Sequence, residues 1–404
     1  MAKKNDDFFE GKKLWSHVKD ELLGCYLKPY VAKILHTNRP IAYVDCFAGK
    51  GKFDDGNPGS PLIALDIFKQ CLESTNSLSK EPIDATFIDI FYADDLEQNL
   101  SDYSGVKIVP GAYENVIDEL LKSKIGCNLF LYIDPYGIKA LDCSKFDAFA
   151  TGAFHTVELL INMNSFGFIR EACHVMGAEF NIEDKKLFDD LVEYDTTRLD
   201  NTNKSVETLN KIAGGDYWKE IIAQYKRGEI SGYRAEEEFA ERYCNRLGNS
   251  YRYVLNMPIR MKKNQHPKYR MIHATNHPDG CVLMADNICN RWELMKSLQD
   301  SGQITFFQTD INNQIIDPEK IRNHVIEHFS QYDEWISLTE AQAAFFIKYG
   351  VICKSKEIAD ELKKLEKEKK LEVNRRPAYT KTGKPSIFMT ERHGNSVSVR
   401  WVKS

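Results

Sequence analysis

No stretch of this chain approaches the ~18 consecutive apolar residues that a membrane span requires. The first ten residues, Met1 to Glu10, are polar and charged and hold no apolar core. The expectation is therefore a soluble, cytoplasmic protein with neither membrane segment nor signal peptide. Cysteine pairs are missing too: the ten cysteines are scattered and none forms a C-x-x-C. That excludes a disulfide framework and points to reduced, mostly buried thiols. A strong charge of either sign is also lacking. The net value of −5 argues against a chain coated along its length by nucleic acid. No fixed-period repeat is visible.

What the chain does have is length and alternation. Its 404 residues suit one large α/β domain and a smaller module. Leu14, Trp15, Val18, Leu22 and Tyr26 recur at helical spacing within Lys12–His36. Strands are then expected at Ile41–Asp45, Ala85–Ile90, Val106–Val109, Asn128–Ile133 and His155–Met163. Helices are expected between them at Pro61–Leu72, with Ser60 as N-cap, and at Tyr113–Leu121. Such alternation predicts βαβ units and a mainly parallel, doubly wound sheet.

Ser165 to Leu247 reads as a helical insertion. An antiparallel hairpin follows at Tyr251–Met261 and Lys268–Thr275, then a helix at about Gly280–Leu298. The expected division is a Rossmann-like domain over 1–300, a polar linker over 301–333, and a module over 334–404. In that module, helices at Leu338–Tyr349 and Ser355–Glu368 precede strands at Leu371–Val373 and Ser386–Thr390, with a basic loop between. This order reads as a winged helix. From Val351 onward fourteen Lys and Arg face seven Asp and Glu, so the remainder of the chain carries −12. The C-terminal module is therefore the expected electrostatic partner surface.

Three strand ends carry chemistry. After the first strand comes Asp45-Cys46-Phe47-Ala48-Gly49-Lys50-Gly51, where a Gly-x-Gly turn lets the backbone approach a ligand closely. The dinucleotide fingerprint would need a third glycine near Asp54, and a P-loop would end in G-K-[ST]; neither is present. Asp89 ends the second strand, where an acid can accept from the ribose hydroxyls of an adenosine cofactor. Asp134-Pro135-Tyr136-Gly137 follows the fourth strand and opens on the same carboxyl-side crevice. Gly111-Ala112-Tyr113 follows the third.

Rival features are weaker. His273 and His277, with His266 nearby, lack a third ligand and helical geometry, so no metal site is expected. Cys46 has no base beside it in sequence and reads as a small buried residue. Arg234, Arg242 and Arg246 could meet phosphates or could pair with the acids that alternate with them.

The first motif resembles the cofactor loop of S-adenosylmethionine-dependent methyltransferases. Asp134-Pro135-Tyr136 resembles the D-P-P-Y element of amino-methyltransferases acting on nucleic acids, with one proline in place of two. Together with Gly59-Ser60-Pro61-Leu62 and His273-Ala274-Thr275-Asn276-His277, these segments resemble the three-Cys-motif partner proteins, from about Trp15 to Trp292. That bacterial family is named for a neighbouring protein with a radical-enzyme-like cysteine triplet.

The resemblance implies a Rossmann-like methyltransferase sheet and S-adenosylmethionine held by Asp45, Phe47, Ala48, Gly49, Gly51, Asp89, Ala112 and Tyr113. Asp134, Pro135 and Tyr136 would present the acceptor amine of a nucleic-acid base. It also implies a partner protein with an iron–sulfur centre. The rival expectation is a non-catalytic methyltransferase-like binding protein working with that partner. A third is methyl transfer to a protein or small molecule.

Overall fold

Short apolar runs become the central strands because helices cover both faces of the sheet they build. Ile41–Asp45 and Asn128–Ile133 are buried along their whole length. The structure, a computed structural model, describes residues 9–12, 14–75, 82–180, 202–259, 267, 269–300, 318–391 and 394–403. The chain divides into two compact units, Met1–Asn276 and His277–Ser404.

In chain order the first unit runs α1 (Leu14–Leu35), β1 (Ile41–Asp45), α2 (Ser60–Ser74), β2 (Ile83–Asp89), α3 (Ala93–Asn99), β3 (Val106–Pro110), α4 (Tyr113–Lys122), β4 (Asn128–Ile133), α5 (Cys143–Ala150) and β5 (Thr156–Met163). It continues through α6 (Ser165–Val175), α7 (Asn203–Ala213), α8 (Trp218–Lys226), α9 (Gly232–Leu247), β6 (Tyr253–Ile259) and β7 (Tyr269–Thr275). The sheet order is β3-β2-β1-β4-β5-β7-β6. β3 to β5 are parallel, and β7 lies antiparallel between β5 and β6. This is the expected Rossmann-like α/β architecture. It differs from the dinucleotide order 3-2-1-4-5-6 in the inserted antiparallel strand.

Register places the chemistry. Asp45 pairs with Phe87 and Tyr132, and Asp89 with Pro110. Asp45, Asp89 and Asp134 therefore share the carboxyl edge of the parallel strands. One sheet face packs Tyr26, Tyr30, Tyr43, Phe68, Phe87 and Phe130 ring against ring beneath α1 and α2. The opposite face buries Val44, Leu131, Leu159 and Ile272 against the helical insertion, where Phe168 and Phe239 stack with centroids 3.9 Å apart. Among the described residues of the insertion there is no strand; 181–201 lie outside them. The loop expected at 262–267 also lies outside them, save Pro267.

The second unit holds α10 (Pro278–Asp300), α11 (Pro318–Phe329), β8 (Ile336–Ser337), α12 (Leu338–Tyr349), α13 (Ser355–Lys367), β9 (Leu371–Arg376) and β10 (Ser396–Trp401). The strands form an antiparallel sheet in the order β8-β10-β9. Ile358, Leu362 and Leu365 form the buried stripe of α13.

Several expectations are corrected here. The helix expected at Gly280–Leu298 is present as α10, and it groups with the second unit, which begins at His277. The stretch expected as a linker, 301–333, contains α11. Ser386–Thr390 is not a strand. Pro385 removes a donor there, and the Phe388 carbonyl is taken by the Arg375 side chain at 2.7 Å. The partner of β9 is Ser396–Trp401, whose Val397 and Val399 alternate inward. Ser355 opens α13, and its hydroxyl donates to Asp286 Oδ2 at 2.6 Å.

Candidate functional site

Asp45 is the last residue of β1 and fully buried. Its Oδ1 accepts from the Phe47 N–H at 3.2 Å, and its Oδ2 from the Ser60 hydroxyl at 2.6 Å. Both donors are neutral. Burial dominates and pushes the Asp45 carboxyl up to about 7; the Ser60 and Phe47 bonds pull it down, and Asp134 and Asp20 push it further up. Ser60 was expected as the N-cap of α2. Gly59 holds that position, which leaves the Ser60 hydroxyl for Asp45.

The turn itself needs its glycines. Gly49 sits at φ 61° and Gly51 at φ 77°, in the left-handed region. A Cβ on Gly49 would come within 2.8 Å of the Phe9 ring, and one on Gly51 within 2.8 Å of Leu96. Ala48 N–H donates to the Ile88 carbonyl at 2.9 Å and Asn99 Nδ2 to the Lys50 carbonyl at 2.8 Å. The turn is thus fixed to β2 and α3. Phe9, Phe53 and Tyr92 pack together over it.

Asp89 does more structural work than expected. Its Oδ1 accepts from Phe91 and Tyr92 N–H at 2.7 and 2.8 Å, and its Oδ2 from Gly49 N–H at 2.9 Å. A carboxylate offers about four acceptor positions. One remains, enough for a single ribose hydroxyl and not for both. Tyr113, expected among the cofactor-holding residues, is only 2% exposed, and its ring lies beside Phe47. Ala112 precedes it as the extended N-cap of α4.

Asp134 follows β4 and is held from two sides. Lys19 Nζ of α1 meets Oδ2 at 2.5 Å, and Asn162 Nδ2 of β5 donates to Oδ1 at 2.7 Å. Asp20, beside Lys19, pairs with Lys12 at 2.7 Å; burial raises its carboxyl to about 6, with Lys12 opposing the rise. Tyr136, two residues past Asp134, is 38% exposed, yet its hydroxyl lies 3.8 Å from where a Gly49 Cβ would stand. Desolvation first, then Asp89, keeps that phenol well above its ordinary range.

Lys19 and Asn162 were missed by sequence reasoning, though each leaves a trace. Lys19 sits on the apolar stripe of α1, four residues after Trp15 and three before Leu22. Asn162 interrupts the apolar run Leu159-Leu160-Ile161 to Met163. Of the two readings left open for Arg234, Arg242 and Arg246, the structure shows the ion pairs. Arg234 meets Glu237 at 2.6 Å, Arg242 meets Glu238 at 2.5 Å, and Arg246 meets Asp147 at 2.5 Å. Burial raises the Cys46 thiol well above its usual range, which suits a packing residue. His273 Nε2 faces Glu158 at 3.1 Å and His277 lies beside Asp279 at 3.7 Å; His266 lies outside the described residues. Among the described residues no group of three His, Cys, Asp or Glu could hold a metal ion, and no helix is long and apolar enough to cross a membrane.

The fold and site together define a Rossmann-like α/β protein with an acid-lined, glycine-turned crevice at the carboxyl edge of its sheet. Compared with protein-family models and with curated proteins, the chain matches none.

Proposed function

We propose that the first unit is an S-adenosylmethionine-dependent methyltransferase domain whose acceptor is a nucleic-acid base amine. The observation that carries this reading is the convergence of Asp45, Asp89 and Asp134, remote in sequence, around one glycine turn. The antiparallel strand between β5 and β6 also sets this sheet apart from the dinucleotide order, in keeping with a cofactor other than a dinucleotide.

The residues present fit the cofactor. Asp45 is a buried carboxyl satisfied only by neutral donors, so a cationic ligand beside it would relieve the cost of its ionisation. Gly49 and Gly51 keep the turn free of side chains. When bound, S-adenosylmethionine supplies an electrophilic sulfonium methyl. Asp89 would accept from one ribose hydroxyl while its other bonds hold the turn. Asp134, oriented by Lys19 and Asn162, has an Oδ1 position left to accept from an amine and aim its lone pair. The half-open Tyr136 ring would stack on the base. Pro135 fixes the backbone φ between the two.

The second unit's order of helix, short strand, two helices and two strands supports a winged-helix-like module. In this reading it docks nucleic acid. The resemblance to three-Cys-motif partner proteins adds a partner with an iron–sulfur centre.

A second reading, a non-catalytic methyltransferase-like binding protein for such a partner, draws on one observation. Lys19 already occupies Asp134. Incubation with labelled S-adenosylmethionine and duplex or single-stranded nucleic acid tests the choice. Label that enters nuclease-sensitive material, and is lost in Asp134→Ala, is expected. Cofactor binding without transfer to any nucleic acid would favour the second reading. Label in protein would indicate a different acceptor.

A further inference from the structure

Within the second unit, positive charge is distributed unevenly, and the helix that a winged helix normally presents is the less suited surface. α13 carries Lys356, Lys363, Lys364 and Lys367 against Glu357, Asp360, Glu361 and Glu366, so its formal charge is zero. Lys363 lies 2.9 Å from Asp360 and Lys364 2.5 Å from Glu361. Glu366 holds Arg375 through two bonds of 2.7 and 2.6 Å. Each lysine on this helix sits among acids that blunt its attraction for a phosphate.

The hairpin after β9 is different. From Val373 to Thr390 the chain has no acid, and Arg375, Arg376, Lys381 and Lys384 are its cations. Arg375 is spent internally, gripping Glu366 and the Phe388 carbonyl, and so ties the base of the hairpin to α13. Arg376, Lys381 and Lys384 are exposed and have no acidic partner among the described residues.

The tip is also built. Thr380 N–H donates to the Lys384 carbonyl at 2.8 Å, Gly383 N–H to the Thr380 carbonyl at 2.9 Å, and Ser386 N–H to the Ala378 carbonyl at 2.8 Å. Gly383 supplies the left-handed turn at φ 75°. Ser386 and Met389 are buried at its root, while Tyr379 is 64% and Ile387 81% exposed. A cationic, acid-free, preformed hairpin with two large apolar side chains in solvent is not accounted for by folding.

We infer that this hairpin, and not α13, is the surface on which the protein holds duplex DNA, with Arg376, Lys381 and Lys384 on the phosphates flanking a minor groove. A narrow tip with Arg376 on one arm, Lys384 on the other and Lys381 in the turn suits the groove of B-form DNA, about 6 Å wide and strongly negative, better than the wide, shallow minor groove of A-form RNA. Tyr379 and Ile387 supply apolar contact at the groove wall. A preformed tip loses little conformational freedom on binding. The inference rests on the nucleic-acid reading above but not on methyl transfer.

The test uses the full chain, fluorescence anisotropy with a labelled DNA duplex of about 20 base pairs, and a salt series. The combined Arg376→Ala, Lys381→Ala, Lys384→Ala variant should bind at least tenfold more weakly. Its log–log salt slope should be shallower by about 2 to 3, since each phosphate contact contributes about 0.9. The combined Lys356→Ala, Lys363→Ala, Lys367→Ala variant should stay within about threefold of wild type, because its cations are already offset. Circular dichroism checks that both variants fold; should the first not, Tyr379→Ala with Ile387→Ser replaces it, with a severalfold loss expected.

Equal or greater loss in the helix variant would overturn the inference. So would an unchanged salt slope in the hairpin variant, tighter binding of duplex RNA than of DNA, or no duplex binding by wild type. Hairpin-dependent DNA binding in a protein that transfers no methyl group would sink the methyltransferase reading and leave this one standing.

Discussion

The strand-edge crevice of the first unit and the hairpin of the second both concentrate charge, and they do so in opposite ways. In the crevice the acids are buried or half-buried and engaged: Asp89 by backbone N–H groups, Asp134 by Lys19 and Asn162, Asp20 by Lys12. In the hairpin Arg376, Lys381 and Lys384 stand in solvent with no acidic partner among the described residues. Engagement fixes position, which is what oriented chemistry requires. Exposure leaves charge to act at a distance and to be screened by salt, which is what capture of a polyanion requires. The same residue types therefore read as machinery in one place and as an attractor in the other.

The largest break in that comparison lies behind the crevice. Arg270 and Glu236 form a fully buried pair with bonds of 2.6 and 2.7 Å, and Glu236 also takes the Ser165 hydroxyl. Glu236→Ala strands a buried guanidinium and should cost about 3–5 kcal/mol, read by urea denaturation. An effect below about 1 kcal/mol would mean that burial there is not what fixes the charge.

Lys19→Met removes the cation from Asp134. A loss of about 2 kcal/mol in stability is expected. If the proposed function holds, methyl transfer should fall further than cofactor affinity, because Lys19 touches Asp134; equal falls in both would place Lys19 with the cofactor instead.

pH sharpens the contrast next. The Asp45 and Asp20 carboxyls are raised in the folded state to about 7 and about 6, above their unfolded values. Their contribution to stability is thus fully present below about pH 4 and is lost as pH rises through 6 to 7. Denaturation of wild type and Asp45→Asn across pH 4–8 should diverge by roughly 1–3 kcal/mol, with the variant less sensitive. Parallel curves would show that Asp45 titrates normally.

The smallest effect belongs to the surface pairs of α9. Arg234→Ala and Arg242→Ala should each change stability by about 0.3–0.5 kcal/mol and leave DNA affinity unaltered. A clear loss of affinity would return these arginines to the phosphate-binding role that their ion pairs argue against.

Much of this was legible in sequence because strands and turns are local. The apolar run Asn128–Ile133, the glycines after Asp45 and the Pro61 that opens α2 each announce themselves within a few residues. What engages Asp134 was not legible, because Lys19 and Asn162 reach it across separations of 115 and 28 residues. Asp89 looked free in sequence; its three backbone partners become visible only once β1 and β2 are side by side. The burial of Tyr113 was not legible either, since a position after a strand says nothing of which way the ring turns. In the second unit, Ser396–Trp401 was passed over in favour of Ser386–Thr390, although its valines alternate and the rejected segment follows a proline.

The central claim is that Asp45 and its glycine turn hold a cationic adenosyl cofactor. The direct test is calorimetric titration of S-adenosylmethionine into wild type and Asp45→Asn between pH 6 and 8, in buffers of different ionisation enthalpy. The account predicts wild-type binding that tightens as pH rises through about 7, with protons released on binding below it. Asp45→Asn should bind weakly and without that pH dependence. Folded wild type that takes up no S-adenosylmethionine, or two proteins with the same affinity at every pH, would contradict it.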